Sequence, residues 1–332
     1  DINFIKECKK DFEYKKNIWK EFLLKTNSKI HITPFKFTSE HITINSAINE
    51  IGGTSAMFQT SLDLVPSYEL LITSDIYFAF SPFNAEVEKK HGSQIQYHIS
   101  TGYPRDYSFQ KSKIESIKIR DYLNSNGAKN IISFFDETSD EDERWWVGNS
   151  IACEEYKFFL EKIISNTSLG IVIKPKRFRT LYRRLRSIKE LIEEAKKTGR
   201  CYILTQKDDT TCPSYMPSIA AYASDIAISS SCLGGTAALE CALTGTPTLI
   251  YDLNNWKASK LYELGEGRVI FKKLEHLWDS ISDQFSSKNI NSELGNWDPV
   301  INDLDPFRDG KAAYRIGTYL HWLIQGYNQG LN

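Results

Sequence analysis

The sequence predicts an α/β protein built on a parallel sheet with helices on both of its faces. Three observations carry that expectation. From residue 129 onward, short apolar runs alternate with amphipathic stretches at a regular rhythm. The runs are apolar throughout rather than at every second position, as strands buried on both sides require. One of them, Asp225–Ser229, leads through a Ser/Gly loop directly into a helical pattern.

Residues 1–27 place Phe4, Ile5, Phe12, Ile18, Trp19, Phe22 and Leu23 at near-helical spacing among charges, which predicts an amphipathic helix. Residues 28–128 are less regular. Apolar runs at Lys29–Thr33, Ala56–Thr60, Asp75–Phe80 and Ile95–Ser100 suggest strands joined by short helices, and 108–127 reads as a helix stopped at Asn126-Gly127. In the second half the expected strands are Asn130–Phe135, Leu169–Ile173, Cys201–Leu204, Asp225–Ser229 and Thr246–Tyr251. The expected helices are 149–165, a long basic helix 179–198 ended by Gly199, Met216–Ala223 and Gly234–Leu243. Further helices are expected within 256–285, a loop over 286–310 and a last aromatic-rich helix over 309–327.

The 332 residues suit two ordinary domains or one large one. With 41% hydrophobic and 25% charged residues the composition is that of a globular protein, and a net charge of −1 argues against a nucleic-acid binder. The six cysteines, at 8, 153, 201, 212, 232 and 241, form no CxxC pair, so they read as reduced core thiols of a cytoplasmic protein rather than a zinc site. No apolar stretch reaches the length of a membrane span. The start lacks an initiator Met and a signal-peptide core, which suits a piece of a longer polypeptide, and the frequent Lys, Asn and Ile hint at an AT-rich bacterial genome.

The segment with the strongest chemical signal runs from Asp225 through Ser230, Ser231, Gly234, Gly235 and Thr236 to Glu240. The first N–H groups of a helix have no partner inside it, and the helix dipole is positive there. Glycines let an anion approach the backbone, and hydroxyls add hydrogen bonds, so the loop has the makings of a phosphate seat. Glu240, about one turn further on, is placed to accept from ribose hydroxyls. The plainer reading is a strand-to-helix turn whose glycines serve tight packing. Because the spacing is neither a Walker loop nor GxGxxG, ATPase and dinucleotide readings lack their signature.

Three further segments bear on chemistry. Lys174-Pro175-Lys176-Arg177 follows a buried strand, and a cation at a strand's carboxyl end would neutralise a diphosphate or phosphodiester. Arg179, Arg183, Arg184 and Arg186 continue the charge as a solvated face or a contact with an anionic membrane surface. In Phe134–Trp146, Asp136 and Glu137 or the hydroxyls of Thr138 and Ser139 could act at a ligand, the acidic run 140–143 reads as a helix N-terminal turn or solvated loop, and Trp145 and Trp146 either stack on a base or sugar or pack in the core. Near 98–106, His98 and Asp106 are candidate acid and base, with Glu86 a further carboxylate and Arg105 an anion ligand, although a lone His by a strand is more often structural. Gly52-Gly53-Thr54 is a second glycine loop, and Asp305–Gly310 reads as a turn docking the last helix.

The block from Lys129 to about Phe285 resembles the donor-binding half of GT-B glycosyltransferases, above all bacterial enzymes of capsule and lipopolysaccharide assembly. The resemblance rests on Ile131–Thr138, on Ile171–Lys176 and on Ser230–Pro247 with its Ser-Ser-x-x-Gly-Gly-Thr-Ala-Ala-Leu-Glu and following Thr-Gly-Thr-Pro. It implies two Rossmann-like domains facing a cleft. These would be a short acceptor-side domain over 1–128, a nucleotide-sugar domain over 129–308 and a crossover helix over 309–332. It further implies a metal-independent transfer with no cofactor beyond the nucleotide-sugar, a glycan or lipid-linked acceptor, and action in the cytoplasm or at the inner face of the cell membrane. Donor contacts would fall on Lys174, Lys176, Ser230, Ser231, Gly234, Gly235, Thr236, Glu240, Asp136 and Thr138, and the catalytic base would be His98, Asp106 or Glu86. Capsule-type and sialyltransferase-like enzymes often carry His-Pro where this chain has Lys174-Pro175, which leaves open a CMP-linked acid sugar such as Kdo or a UDP- or GDP-linked sugar. An epimerase or hydrolase acting on sugar nucleotides, or a non-catalytic carbohydrate module of a larger synthase, are the alternatives.

Overall fold

The computed structural model describes residues 2–36, 38–65, 68–138, 140–143, 147–205, 216–286 and 293–330. Ser139, Trp145, Trp146 and Cys212, singled out above, lie outside the described residues. The chain divides into two compact units, 1–107 with 302–332 and 108–301. The sequence division at 128/129 had left the helix near 108–127 in the front half, whereas the structure assigns it to the second unit.

The first unit opens with α1 (Ile2–Lys25) and continues through β1 (Ile30–Thr33), α2 (Glu40–Glu50), β2 (Thr54–Phe58), β3 (Thr73–Ala79), α3 (Pro82–His91) and β4 (Gln94–Ser100). Its four strands are parallel and lie in chain order, so this sheet has no reversal of strand order. On one face Met57, Ile72, Tyr77 and Ala79 form a small core. On the other, Ala56, Ile76 and Phe78 pack with Ile316 of the last helix of the chain. A buried charge knot fixes the loops. Lys36 Nζ lies 2.8 Å from Asp63 and 2.9 Å from Glu88. Burial would lower the Lys36 ammonium, but the two carboxylates outweigh it and raise it above its ordinary value.

The second unit holds α4 (Phe109–Ser125), β5 (Asn130–Phe135), α5 (Asn149–Ser165), β6 (Leu169–Lys174), α6 (Phe178–Arg184), α7 (Lys189–Lys197), β7 (Cys201–Ile203), α8 (Pro217–Ala223), β8 (Ile226–Ser229), α9 (Thr236–Leu243), β9 (Thr248–Tyr251), β10 (Ile270–Phe271), α10 (Leu274–Ser286) and most of α11 (Asp298–Leu304). Its sheet has the order β10-β9-β8-β5-β6-β7 with every pairing parallel. The chain starts in the middle at β5, runs outward to β7, returns to β8 and runs outward the other way. That doubly wound order is the expected α/β fold, and it places a reversal point between β5 and β8. Two cores sandwich the sheet. Ile132, Phe134, Ile171 and Ile173 point to one with Phe159, Leu160 and Leu181, while Ile131, Phe135, Val172 and Ala227 point to the other with Leu123, Ala220 and Cys241. Each such side chain fully buried stabilises the fold by about 1.5–3 kcal/mol, which is why the strands read as unbroken apolar runs.

Two elements depart from the sequence reading. The long basic helix is broken into α6 and α7 by a 3₁₀ turn at Arg186–Ile188. In an unbroken helix the Arg184 carbonyl would accept from the Ile188 N–H; here it accepts from Asn149 Nδ2 at 2.9 Å and Cys153 Sγ at 3.6 Å, and Ile188 turns to Leu185 O at 3.0 Å. Within the stretch expected as loop, α11 forms where Asp298-Pro299 supplies a helix start. The last helix, α12 (Ala312–Asn328), belongs to the first unit and covers its sheet with Ile316, Tyr319, Leu320 and Leu323. Among the described residues no helix is long and apolar enough to cross a membrane.

Candidate functional site

The reversal point of the second sheet is where the sequence-predicted loop sits. β8 ends at Ser229 and the chain turns through Ser230–Gly235 into α9. The loop is tied to the neighbouring strand: Ser230 N donates to Phe135 O at 3.2 Å, and Glu137 N donates to Ser230 Oγ at 3.1 Å. Ser231 Oγ accepts from Leu233 N at 3.0 Å. Both serine oxygens therefore shape the loop. Leu233, Gly234, Thr236 and Ala237 keep partial exposure, so the mouth of α9 is not sealed. At the start of the helix Thr236 N donates to Gly234 O at 2.6 Å, and an i−4 bond runs from Leu239 N to Gly235 O at 2.8 Å.

Cations reach this end of the sheet from β6. Lys176 Nζ donates to Glu137 Oε2 at 3.0 Å and to Glu137 O at 3.1 Å, with its side chain 41% exposed. Lys174 Nζ donates to Pro175 O at 3.2 Å, and its charge partly offsets the burial that raises the Glu137 carboxyl and the Cys241 thiol. Gly234 lies against the Glu137 carboxylate: a Cβ there would stand 2.8 Å from Oε2. A side chain at Gly234 would thus require that carboxylate to shift, while the glycine's φ is not in the left-handed region. Burial raises the Glu137 carboxyl above its ordinary value; Lys176 opposes this, and the neighbouring Asp136 charge adds to it. Gly234, Lys174 and Lys176 are therefore brought together with Glu137, and Gly235 and Thr236 lead on into the helix.

Other assignments need correction. Asp136 faces inward: its Oδ2 accepts from Arg184 Nη2 at 2.7 Å and from Tyr156 OH at 2.8 Å, and its Oδ1 accepts from the Lys176 N–H. It positions Lys176 rather than meeting a ligand. Arg184, expected on a solvated face, has 0% side-chain exposure as the partner in that pair. Thr138 is buried and donates to Val147 O at 3.2 Å. Glu240 is 1% exposed, and its Oε1 accepts from Ser218 N at 2.8 Å in the first turn of α8, so that carboxylate caps a neighbouring helix. Of the acidic run, Glu143 accepts from Ser150 N and Oγ at 2.9 and 2.7 Å at the start of α5, as a helix N-terminal turn does.

Sequence reasoning missed two residues here. Glu155 on α5 is 1% exposed, and among the described residues neither of its oxygens has a hydrogen-bond partner; burial, then Asp136 and Glu137, push its carboxyl well above the ordinary range. Asp252, after β9, accepts from Trp256 N at 2.7 Å and from Tyr262 OH at the short distance of 2.5 Å, and with burial it raises the Cys232 thiol of the loop. Neither had a motif around it, and only the strand-end position of Asp252 could have pointed to it. The buried Cys201 thiol is pushed up to about 12 by burial, in keeping with a reduced core cysteine.

The catalytic candidates all lie in the first unit and do not form one constellation. His98 on β4 stands edge-on to Tyr77, its Nε2 buried without a partner among the described residues, and burial, then Lys89, lower its ionisation. It lines a groove of about 510 Å³ with Ile76, Tyr97, Ile99, Tyr319 and Trp322. Glu86 is exposed and paired with Lys89 at 2.7 Å. Asp106 is buried and accepts from Gly310 N at 2.9 Å, which commits it to the turn before α12; burial, then Asp305, raise its carboxyl. Arg308 and Asp309 belong to that turn, as expected, with Asp309 paired to Arg315.

No family of known proteins matches the sequence, and no curated protein is detectably similar to it. Solved structures are similar. The wall teichoic acid polymerase TagF, in a crystal soaked with CDPG, shares 12% identity at a TM-score of 0.57, covering 90% of this chain and 73% of its own. HepE of Anabaena, in complex with UDP and glucose, gives 12% and 0.53 over 88% and 77%. The UDP-GlcNAc 2-epimerase of Methanocaldococcus jannaschii, in complex with UDP-GlcNAc and UDP, gives 13% and 0.54 over 94% and 80%. At such identities the likeness is one of fold, and the fold is the GT-B-like α/β architecture that the sequence predicts.

Proposed function

We propose that this chain is a glycosyltransferase that moves a sugar from a nucleotide-linked donor to a bacterial surface glycan, of the capsule or lipopolysaccharide kind, at the inner face of the cell membrane. The observation that carries this is the position of the Ser230–Thr236 loop at the strand-order reversal, beside Lys174 and Lys176. Ligands of doubly wound sheets bind in that crevice. The helix amides and Lys176 would stabilise the negative charge that grows on the leaving phosphate, chemistry that needs no metal. Structures of similar fold hold UDP with a sugar, which favours a UDP-type donor among those left open.

The test is thermal denaturation of the chain with CMP, UDP and GDP. A rise of several degrees with one of them supports the reading, because a ligand that binds only the folded state stabilises it. No shift with any, in a well-folded sample, favours a non-catalytic module. Gly235→Val should abolish the shift while leaving the fold intact. The epimerase-like fold of one similar structure keeps a second reading open, action on the sugar nucleotide itself. Incubation with donor alone separates them: free, altered sugar formed quickly without acceptor favours the second reading.

A further inference from the structure

The loop already holds a charge of the ligand's own sign. Glu137 is 8% exposed, and its Oε2 and Oε1 would lie 2.8 and 3.3 Å from a Cβ on Gly234. It is paired with Lys176, at 3.0 Å. The Asp136–Arg184 pair beside it is closed on itself at 2.7 Å, with both side chains inaccessible. The first turn of α9 carries no acidic side chain; the Asp136 charge still raises the Glu137 carboxyl, and Glu137 in turn raises that of Glu155 on α5. What faces a ligand is therefore Lys174, Lys176 and Glu137.

From this geometry we infer that Glu137 is the resident counter-anion of the seat, and that a nucleoside diphosphate binds by taking its place at Lys176. The inference rests on the phosphate-seat reading above. With Glu137 ionised in place, the two lysines present one net positive charge. With it displaced or protonated they present two, matching the two negative charges of a pyrophosphate bridge. A rigid, buried carboxylate under Gly234 otherwise stands where like-charge repulsion would be strongest. Glu137 thereby sets how strongly an anion is held and couples binding to proton uptake.

Calorimetric titration of the full chain with inorganic pyrophosphate and with UDP tests this. Glu137→Gln should bind pyrophosphate about tenfold more tightly than wild type near pH 8, the scale of one removed like charge at a partly screened site. The gap should narrow as pH falls and the wild-type carboxyl takes up its proton. Glu137→Ala, which deletes the whole carboxylate, should change affinity in the same direction. Both variants binding pyrophosphate no more tightly than wild type near pH 8, with circular dichroism and melting temperature retained, would overturn the inference alone. Failure of wild type and both variants to bind pyrophosphate, CMP, UDP or GDP would instead overturn the seat reading on which it rests.

Discussion

Replacing Asp136 by Asn should unfold the second unit at much lower denaturant. The carboxylate takes hydrogen bonds from Arg184 at 2.7 Å, Tyr156 at 2.8 Å and the Lys176 amide, and neither charged side chain of the pair reaches solvent. Removing one partner of a buried pair costs about 3–5 kcal/mol, because the other charge stays behind uncompensated. Here Asp136→Asn strands a guanidinium whose Nη1, among the described residues, already lacks a partner and whose Nε meets Thr180 Oγ1 at 3.3 Å. Arg184→Met leaves a carboxylate that still has two donors. The first variant should therefore sit at the upper end of that range and the second at the lower. For a unit of this size the shift in melting temperature is roughly 6–20 °C, at about 2–4 °C per kcal/mol. Urea unfolding followed by far-ultraviolet circular dichroism measures it. Because Asp136 also holds the Lys176 backbone, nucleotide affinity should fall more in Asp136→Asn than in Arg184→Met. An Asp136→Asn variant within about 1 kcal/mol of wild type would refute the argument, since a buried pair cannot be broken so cheaply.

Three more tests follow from the same geometry. The Glu155 carboxyl titrates above its unfolded value of 4.5, so its burial costs nothing below that pH and destabilises increasingly as pH rises toward the folded value. Glu155→Gln should thus gain stability near neutral pH, by about 1–3 kcal/mol if the amide finds a partner, and gain none near pH 4; an equal effect at both pH values would count against it. Asp305→Ala removes the acceptor for the amides of Tyr103 at 3.1 Å and Phe307 at 3.0 Å, and hydrogen exchange at these two should accelerate with a loss of about 1–3 kcal/mol; unchanged exchange would show the turn holds without it. Lys176→Ala should weaken nucleotide binding by about 1–3 kcal/mol, read by titration calorimetry, and unchanged affinity would place its ammonium outside the ligand's reach.

The parts of the fold that could be read in the sequence are those whose cause is local. Buried strands such as Ile131–Phe135 and Ile171–Ile173 are apolar on both faces because helices cover both, and that leaves a block in the sequence. The Gly199 and Gly245 stops sit at positive φ, where glycine is nearly free of cost. The Ser/Gly loop was found for the same reason, since a strand end, a glycine pair and a helix start are consecutive. What was hidden is tertiary. The Arg184 side chain looks like any other in a basic run until Asp136, nearly fifty residues earlier, turns to meet it. The break before α7 is made by Asn149 and Cys153, which take a carbonyl the helix would have used. Glu240 stands one turn into α9 as a ribose ligand would, but the same position faces the first turn of α8, and only the packing of those two helices decides between them.

The two sheets explain why the candidate ligand loop was legible and the catalytic candidates were not. A doubly wound sheet opens a crevice where adjacent loops leave in opposite directions, so a motif at β8 predicts a site even before the strand order is known. The sheet of the first unit runs in chain order and has no such point. Its titratable residues are distributed by their own elements: Asp106 to the turn at Gly310, Glu86 to a surface pair, His98 to the flank of Tyr77. Among the described residues His98 Nε2 and Asp106 Oδ1 are both buried without a partner, but the Asp106 carboxyl is held by Gly310 N, whereas His98, its ionisation lowered by burial, keeps a neutral imidazole at physiological pH. A base must accept a proton without giving up a bond that holds the fold, which ranks His98 first. His98→Gln should then lower the rate of sugar transfer without altering nucleotide affinity, whereas equal transfer rates in the two proteins would return His98 to the structural residues of β4.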